Sequence, residues 1–596
     1  MSEDNRPERR GLTAITIENF KGIGAPVTVP LRPLTLLFGA NSAGKSTIIQ
    51  ALQYAWEVLE NRNPDVDRTR LGGEVIDLGG FKNLVHKHDL SRSISITLEY
   101  RGRLHDESYM FPDMYMSRFH EEELVYQHSA GVTDWVDVET FAVRVTTAWD
   151  ERTNKAFVAA YEVSLNGNLF GRIEDVFVTR EDKVERKGSL LINADHPFLS
   201  EEALSTYDNY GDAIMRAIFE NFATPREFII RSFHRMTSAE REEFLKELGA
   251  GDLLDSPVSD APATHSLETP YSGFLVDSVI PEWGKFLSIT KMGRGSTDER
   301  AHTEEEVIWV LSQLMLGTGE AIQGELSGLR YLGPLREVPD RLYSAPLHPG
   351  RERWANGLGA WDALLRDTPL QGNGTSLVVR CSDYLNETLG LGYTLRHEDR
   401  IQLPAEGTLF SQLRLLAAQF EDTEGNDLRR IVTQIEGLER VPVVQLHDEK
   451  NDIDVTPMDI GVGVSQTLPV VVGAVDPDCT IFAVEQPELH IHPAVQVNLA
   501  DIFLREILDE KKKPRLCLLE THSEHLILRV MKRMRQSCDG ELPAGFPLVK
   551  PDDVSVLYVE VTDGTTRIRE MPLNERGELV KAWPGGFFEE GLRETL

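Results

Sequence analysis

The run Gly39-Ala-Asn-Ser-Ala-Gly-Lys-Ser-Thr47 has residue types and spacing suited to one chemistry. A glycine, four residues and then Gly44-Lys45-Ser46 let the backbone fold around a phosphate chain with its N–H groups turned inward. Gly39, Asn41, Gly44, Lys45, Ser46 and Thr47 are the candidate nucleotide contacts, with Lys45 reaching the outer phosphates and Ser46 serving as a ligand to Mg²⁺. The ligand implied is a nucleoside triphosphate. Two later stretches gather ionisable groups, Glu485-Gln-Pro-Glu-Leu-His-Ile-His-Pro493 and Glu520-Thr-His-Ser-Glu-His525. His490 and His492 could suggest a metal pair, but without a third ligand they read as structural or interfacial.

The elements that must hold these residues can be read from the pattern. Leu34 to Phe38 is a short apolar strand, and Ile48, Ile49, Leu52, Trp56 and Leu59 recur at helical spacing, giving the strand, loop and helix that a phosphate loop needs. Leu12 to Phe20 and Pro26 to Leu31 read as strands that lead into it. Thr480 to Val484 suits a buried parallel strand that delivers Glu485 at its C-terminal end, where ligand chemistry sits in open α/β sheets. Leu516 to Leu519 is the next strand. Alternation at Ile94 to Tyr100 and from Phe141 to Val178, with Asn166-Gly167 as a hairpin turn, predicts an antiparallel β lobe. Ser200 to Leu248 is helical in pattern, and capping boxes at Thr237-x-x-Glu240 and Thr303-x-x-Glu306 open helices of an insertion expected to project from the core. Gly249 to Thr269 reads as an exposed loop.

With 596 residues the chain has room for several cores, and no apolar run approaches the ~20 residues of a membrane helix, which predicts a cytoplasmic protein. A formal net charge of −34 opposes diffuse attraction to nucleic acid, so any DNA contact needs a local patch. Lys511-Lys-Lys513 and the run Arg529, Lys532, Arg533, Arg535 are the candidates, each better read as a solvated helix face. Four scattered cysteines suggest neither zinc nor disulfides.

Ile15-Thr-Ile-Glu-Asn-Phe-Lys21 ahead of the phosphate loop resembles the opening of SMC, RecF and OLD-type ATPases, the ABC-like group. The resemblance implies an α/β P-loop NTPase fold, an ABC-like head with an antiparallel β lobe and a helical insertion. It makes Lys21 a candidate phosphate contact and puts Asn83 where the group carries a polar side chain toward Mg²⁺. Asp459-Ile-Gly-Val-Gly-Val-Ser-Gln466 looks like the signature loop, which in the group closes on the nucleotide of the other protomer. Gly463 and Ser465 are its candidate contacts. Glu485-Gln-Pro-Glu488 resembles the Walker B stretch, in which Glu485 would hold the Mg²⁺ shell. Gln486 stands where the group has the glutamate that polarises water, and an amide is a poor proton acceptor. Glu488 is the nearby carboxylate that could substitute. His522 fits the switch histidine that senses the γ-phosphate. Tyr331-Leu-Gly-Pro-Leu-Arg-Glu337, with Arg341, and the ending Trp583-Pro-Gly-Gly-Phe-Phe588 resemble bacterial relatives that carry a C-terminal domain of unknown function. For Arg336 and Arg341 the default reading is closure on carboxylates.

Together these readings predict an N-terminal ATPase lobe at 1–195, a helical insertion at 196–327, a C-terminal ATPase lobe at 328–546 and an extension at 547–596. The resemblance implies ATP and Mg²⁺ as cofactors and a homodimer or higher oligomer that sandwiches ATP between heads, and Gln486 in place of the group's glutamate implies slow hydrolysis. It also implies an anti-phage or DNA-maintenance role beside a separately encoded nuclease or effector. Two rivals remain. One is a nucleotide-gated scaffold that barely hydrolyses ATP, favoured by Gln486. The other is an OLD-type nuclease, for which the roughly 70 residues after His522 are too few.

Overall fold

The computed structural model describes residues 9–104 except 74, 137–200 except 181, 182 and 194, 265–266, 278–284, 308–367 except 342, 376–401 and 440–584, with isolated positions 203, 287, 407, 409–411, 413 and 435. Strand β1 (Gly11–Glu18) pairs antiparallel with β2 (Val27–Pro30). β3 (Leu34–Gly39) then runs into the phosphate loop and helix α1 (Lys45–Asn61). β4 (Ile94–Arg101), β5 (Thr140–Asp150), β6 (Lys155–Leu165), β7 (Asn168–Arg180), β8 (Lys183–Ile192) and β9 (His265–Ser266) extend β1 into an eight-stranded antiparallel sheet. Asn166 and Gly167, with φ of 45° and 80°, form the two-residue turn between β6 and β7.

Helix α2 (Thr318–Ser327) leads into β10 (Leu329–Leu332), followed by α3 (Leu358–Leu365) and α4 (Leu377–Asp383). β11 (Tyr393–Ile401), β12 (Arg440–Asp448) and β13 (Ile453–Val455) make a small antiparallel sheet. Next come α5 (Val462–Val475), β14 (Ile481–Glu485), α6 (Pro493–Ile507), β15 (Leu516–Glu520), α7 (Glu524–Asp539), β16 (Val554–Thr562) and β17 (Thr565–Glu570). The central sheet has the order β10-β14-β15-β3-β16-β17, parallel except for β17. This is an α/β P-loop NTPase fold with an antiparallel sheet beside the parallel one.

A parallel sheet covered on both faces must be apolar on both, and the period of two sorts its residues into two cores. Leu37, Ile481, Ala483, Leu516, Leu518, Leu557 and Val559 face α1 and the antiparallel sheet. Leu36, Phe38, Phe482, Val484, Cys517, Leu519 and Val556 face α3 to α7. This alternation keeps the C-terminal ends of β3, β14 and β15 level, because the pairs Val484↔Leu519 and Leu519↔Leu36 fix their register.

Several expectations change. The capping boxes at Thr237 and Thr303 lie outside the described residues. The end of the insertion that is described does not project: Leu311, Leu314 and Met315 are fully buried in the core shared with α1, and the Tyr161 hydroxyl donates to the Met315 carbonyl at 2.8 Å. Its apolar residues find cover against β6 rather than in solvent. Strands β16 and β17, read from sequence as part of an extension, are hydrogen-bonded into the central sheet. Arg529 and Arg533 are not a solvated face, since Arg533 makes a two-pronged pair with Asp501 at 2.8 and 2.6 Å and Arg529 joins it at 3.3 Å. Trp583 packs edge-on against Phe38; Phe587 and Phe588 lie outside the described residues.

Candidate nucleotide site

The phosphate loop is built by close approach. A Cβ on Gly39 would sit 2.2 Å from the Val559 carbonyl oxygen, so only glycine lets β3 turn there beside β16. Gly44 has φ of 95°, and a Cβ on it would meet the Thr566 hydroxyl at 2.8 Å. Thr566 in turn donates to the Ala43 carbonyl at 3.2 Å, so β17 braces the loop from behind. Asn41 is exposed on the loop, and Thr47 is buried in the first turn of α1.

Lys45 and Ser46 both face the end of β15. The Lys45 ammonium donates to the carbonyls of Gly39 at 3.1 Å and Ala40 at 3.0 Å, and it lies 3.7 Å from Glu520. The Ser46 hydroxyl donates to the same carboxylate at 2.7 Å. Glu520 had no role in the sequence reading. Its signal was an acid ending an apolar strand, but its meaning depends on β15 lying between β3 and β14.

Glu485 closes the arrangement from β14. The Tyr331 hydroxyl donates to it at 3.0 Å. Burial first, and then the neighbouring Glu520, push the Glu485 carboxyl up to about 7, against the opposing pull of Tyr331, Ser46 and Lys45. Ser46, Glu485 and Glu520 offer an all-oxygen donor set with two acids that raise each other's need for a cation. Such a set fits Mg²⁺. The pH dependence follows with a defined sign. Because the folded pKa is raised, the ligand-free fold gains stability from protonated Glu485 and loses it as pH rises through about 7. Protons compete with the metal, so affinity for Mg·ATP should weaken below that pH by up to about tenfold per unit. Calorimetric titrations between pH 6 and 8 check this, and the Glu485→Gln protein should lose that part of the slope. An unchanged slope would remove Glu485 from the metal.

The loop after Glu485 is held by its backbone. Gln486 has φ of 46°, a conformation that costs a non-glycine residue about 1 kcal/mol or more. Its N–H donates to the Glu520 carbonyl at 2.7 Å, while its own carbonyl accepts from Arg336 at 3.0 Å. Among the described residues its side-chain amide has no partner. Arg336 also donates to the carbonyls of Glu485 at 3.0 Å and Gln466 at 3.1 Å, and Gln466 returns a bond to the Arg336 carbonyl at 2.8 Å. Thus Arg336 closes on three backbone carbonyls, not on a carboxylate, and ties the start of α5 to the end of β14. Burial pulls its pKa down to about 10, opposed by Glu488 and Tyr331. Arg341 does pair with a carboxylate, Asp459 at 2.5 Å. Replacing Arg336 with leucine strands three buried acceptors. A loss of about 2–4 kcal/mol is expected from urea unfolding. A loss of only a few tenths would show that the carbonyls find other donors.

Glu488 accepts from the Thr521 hydroxyl at 2.8 Å and from the His522 N–H at 2.7 Å, so both its oxygens clasp the segment after β15. The His522 ring is pushed toward its neutral form by burial and by Lys45, and its Nε2 is buried without a partner among the described residues. An unpaired buried nitrogen beside the phosphate-loop lysine leaves a polar position that a phosphate oxygen can fill.

Other candidates sit differently. Lys21 donates to Gln50 on α1 at 2.7 Å, and Asn83 donates to the Gly79 carbonyl within its own turn at 2.6 Å. Ser465 is buried, with its hydroxyl on the Val462 carbonyl at 3.0 Å, whereas Gly461 and Val462 stand exposed at the helix start beside Gly463. His492 caps α6 by accepting from the Ala494 N–H at 3.2 Å, a structural use.

Residues 11–242 match the family described as AAA ATPase domain, and residues 549–596 match protein of unknown function (DUF3696). No curated protein matches the chain. Similar solved structures include the SMC head domain from Thermotoga maritima, at 9% identity and a TM-score of 0.32, covering 95% of this chain and 100% of that one. Another is a crystal structure of the SmcHead bound to the C-winged helix domain of ScpA, at 10% identity and a TM-score of 0.32, covering 94% of this chain and 98% of that one.

Proposed function

We propose that the AAA ATPase domain this chain carries binds ATP with Mg²⁺ at the ends of β3, β14 and β15, hydrolyses it slowly, and pairs with a second copy through the nucleotide. The carrying observation is the convergence of Lys45, Ser46, Glu485, Glu520 and the unpaired His522 nitrogen. In this reading the amides of the Gly39 to Thr47 loop and Lys45 hold the phosphates. Ser46, Glu485 and Glu520 would hold Mg²⁺, which when bound offsets phosphate charge. Gln486 orients water without taking its proton. Glu488 is a positioning residue that sets the place of His522. The exposed start of α5, Gly461 to Gly463, presents a helix N-terminus to the second copy's nucleotide.

A nucleotide shared across an interface favours the closed form by ~2.7 kcal/mol at a hundred times its dissociation constant. Mass measured by light scattering should therefore rise with ATP and Mg²⁺ and not with ADP. The Lys45→Ala protein should lose both ATP binding and the rise in mass while still unfolding in a cooperative melt. If the protein is already an oligomer, the readout is a change of shape at fixed mass. No change in either would sink the α5 assignment.

A second reading, a scaffold that binds ATP and scarcely turns it over, is favoured by the free amide of Gln486. Steady-state phosphate release separates the two. In the proposed domain limits β16 and β17 belong to the ATPase core rather than to an extension, and a separately encoded effector is sought by pull-down from native cells with mass spectrometry.

A further inference from the structure

At the opposite end of the central sheet from the nucleotide site, the chain leaves a second cavity of about 350 Å³. Its wall is formed where α2 meets β10 and where α3 approaches the start of β14, and it holds Ser327, Arg330, Arg351, Trp354, Arg366 and Asp478. Three guanidinium groups converge on this space. Arg330 is satisfied, since it pairs with Asp476 at 3.2 Å and lies over the Trp354 ring at 5.6 Å. Arg351 and Arg366 are both exposed to solvent. Arg351 lies over the Trp56 ring at 5.5 Å, and Arg366 gives only its Nε to the Asp362 carbonyl at 3.2 Å. Neither has a carboxylate in ion-pair range among the described residues. The Asp362 carboxylate is already taken by Arg353 at 2.5 Å and by Tyr343.

In a chain with 34 more acidic than basic charges, three guanidinium groups lining one cavity, two of them without an ion-pair partner among the described residues, make a local positive patch that suits an anion. Arginine's planar fork matches the oxygens of phosphate. The volume lies in the range of small-molecule pockets, and it is bounded on one side by an indole. We propose that this cavity binds a phosphate-bearing small molecule, its oxygens held by Arg351 and Arg366 with Arg330 at the border. Partial desolvation, and then Arg330, lower the Arg351 pKa, while Glu60 opposes them. Asp478 is the opposing feature, an exposed acid at the rim that repels the same ligand.

The test uses full-length Lys45→Ala protein, so that the phosphate loop contributes least, titrated with pyrophosphate by calorimetry. Saturable binding is expected, weakened about tenfold or more in Arg351→Gln and in Arg366→Gln, as the loss of a charge-assisted contact implies. Asp478→Asn should bind more tightly, an opposite change that general damage to the fold would not produce. Melting curves run alongside identify a variant that fails to fold. Absence of saturable binding, or affinity unchanged in both arginine variants, would overturn the proposal. A single-stranded oligonucleotide that binds through these arginines while pyrophosphate does not bind would overturn it too, in favour of a nucleic-acid backbone.

Discussion

Gln486→Glu is expected to raise ATP turnover. The substitution keeps the shape of the side chain and the φ of 46°, and it gives a proton acceptor to a position whose amide has no partner among the described residues. A positioned base is worth ~10²–10⁴-fold, and imperfect placement would bring the gain toward the lower end. The rival account makes Glu488 the base. Its two oxygens are already engaged by Thr521 and the His522 N–H, so Glu488→Gln should disturb the histidine segment rather than remove a base. Phosphate release at saturating ATP distinguishes them. A near-complete loss in Glu488→Gln, with no gain in Gln486→Glu, would restore Glu488 as the base. If neither variant alters turnover, the water is activated by another group and the Walker B reading of catalysis fails.

The second large effect belongs to Glu520. Removing its charge takes one of two carboxylates from the proposed metal donor set, the one that accepts from Ser46 and lies beside Lys45. Metal stabilisation of phosphate charge is worth several kcal/mol, so Glu520→Gln should lower turnover by about 10²–10³-fold. The same change relieves Glu485 of a repelling neighbour and should move the pH dependence of Mg·ATP binding to lower pH. A structural role for Glu520 would reduce stability without moving that profile. Full activity in Glu520→Gln would exclude it from the site.

Much of the site could be read before the structure because its parts are local. The phosphate loop is nine consecutive residues between a strand and a helix, and Glu485 and His522 each follow an apolar run that ends at the same sheet edge. What sequence did not show was set by topology. Glu520 gains its contacts because β15 lies between β3 and β14, and Thr566 reaches Ala43 across more than five hundred residues. Tyr331 and Arg336 were visible as a motif, but their partners, Glu485 and three carbonyls, come from parallel pairing of β10 with β14. The described end of the insertion packs where projection was expected, for a related reason. Helical periodicity shows which face is apolar and not which surface covers it, and here β6 does.

Whether Glu485 and Glu520 serve one metal site beside the phosphate loop can be measured directly. Mn²⁺ in place of Mg²⁺ makes that site visible to electron paramagnetic resonance, with Mn²⁺ titrated into the protein at saturating ATP. One tightly held Mn²⁺ per chain is expected, with affinity reduced by about tenfold or more in both Glu485→Gln and Glu520→Gln, as for the loss of a metal-site group. If Glu520→Gln held Mn²⁺ with ATP as tightly as the unaltered protein, the two acids would not share the ion and the account would be contradicted.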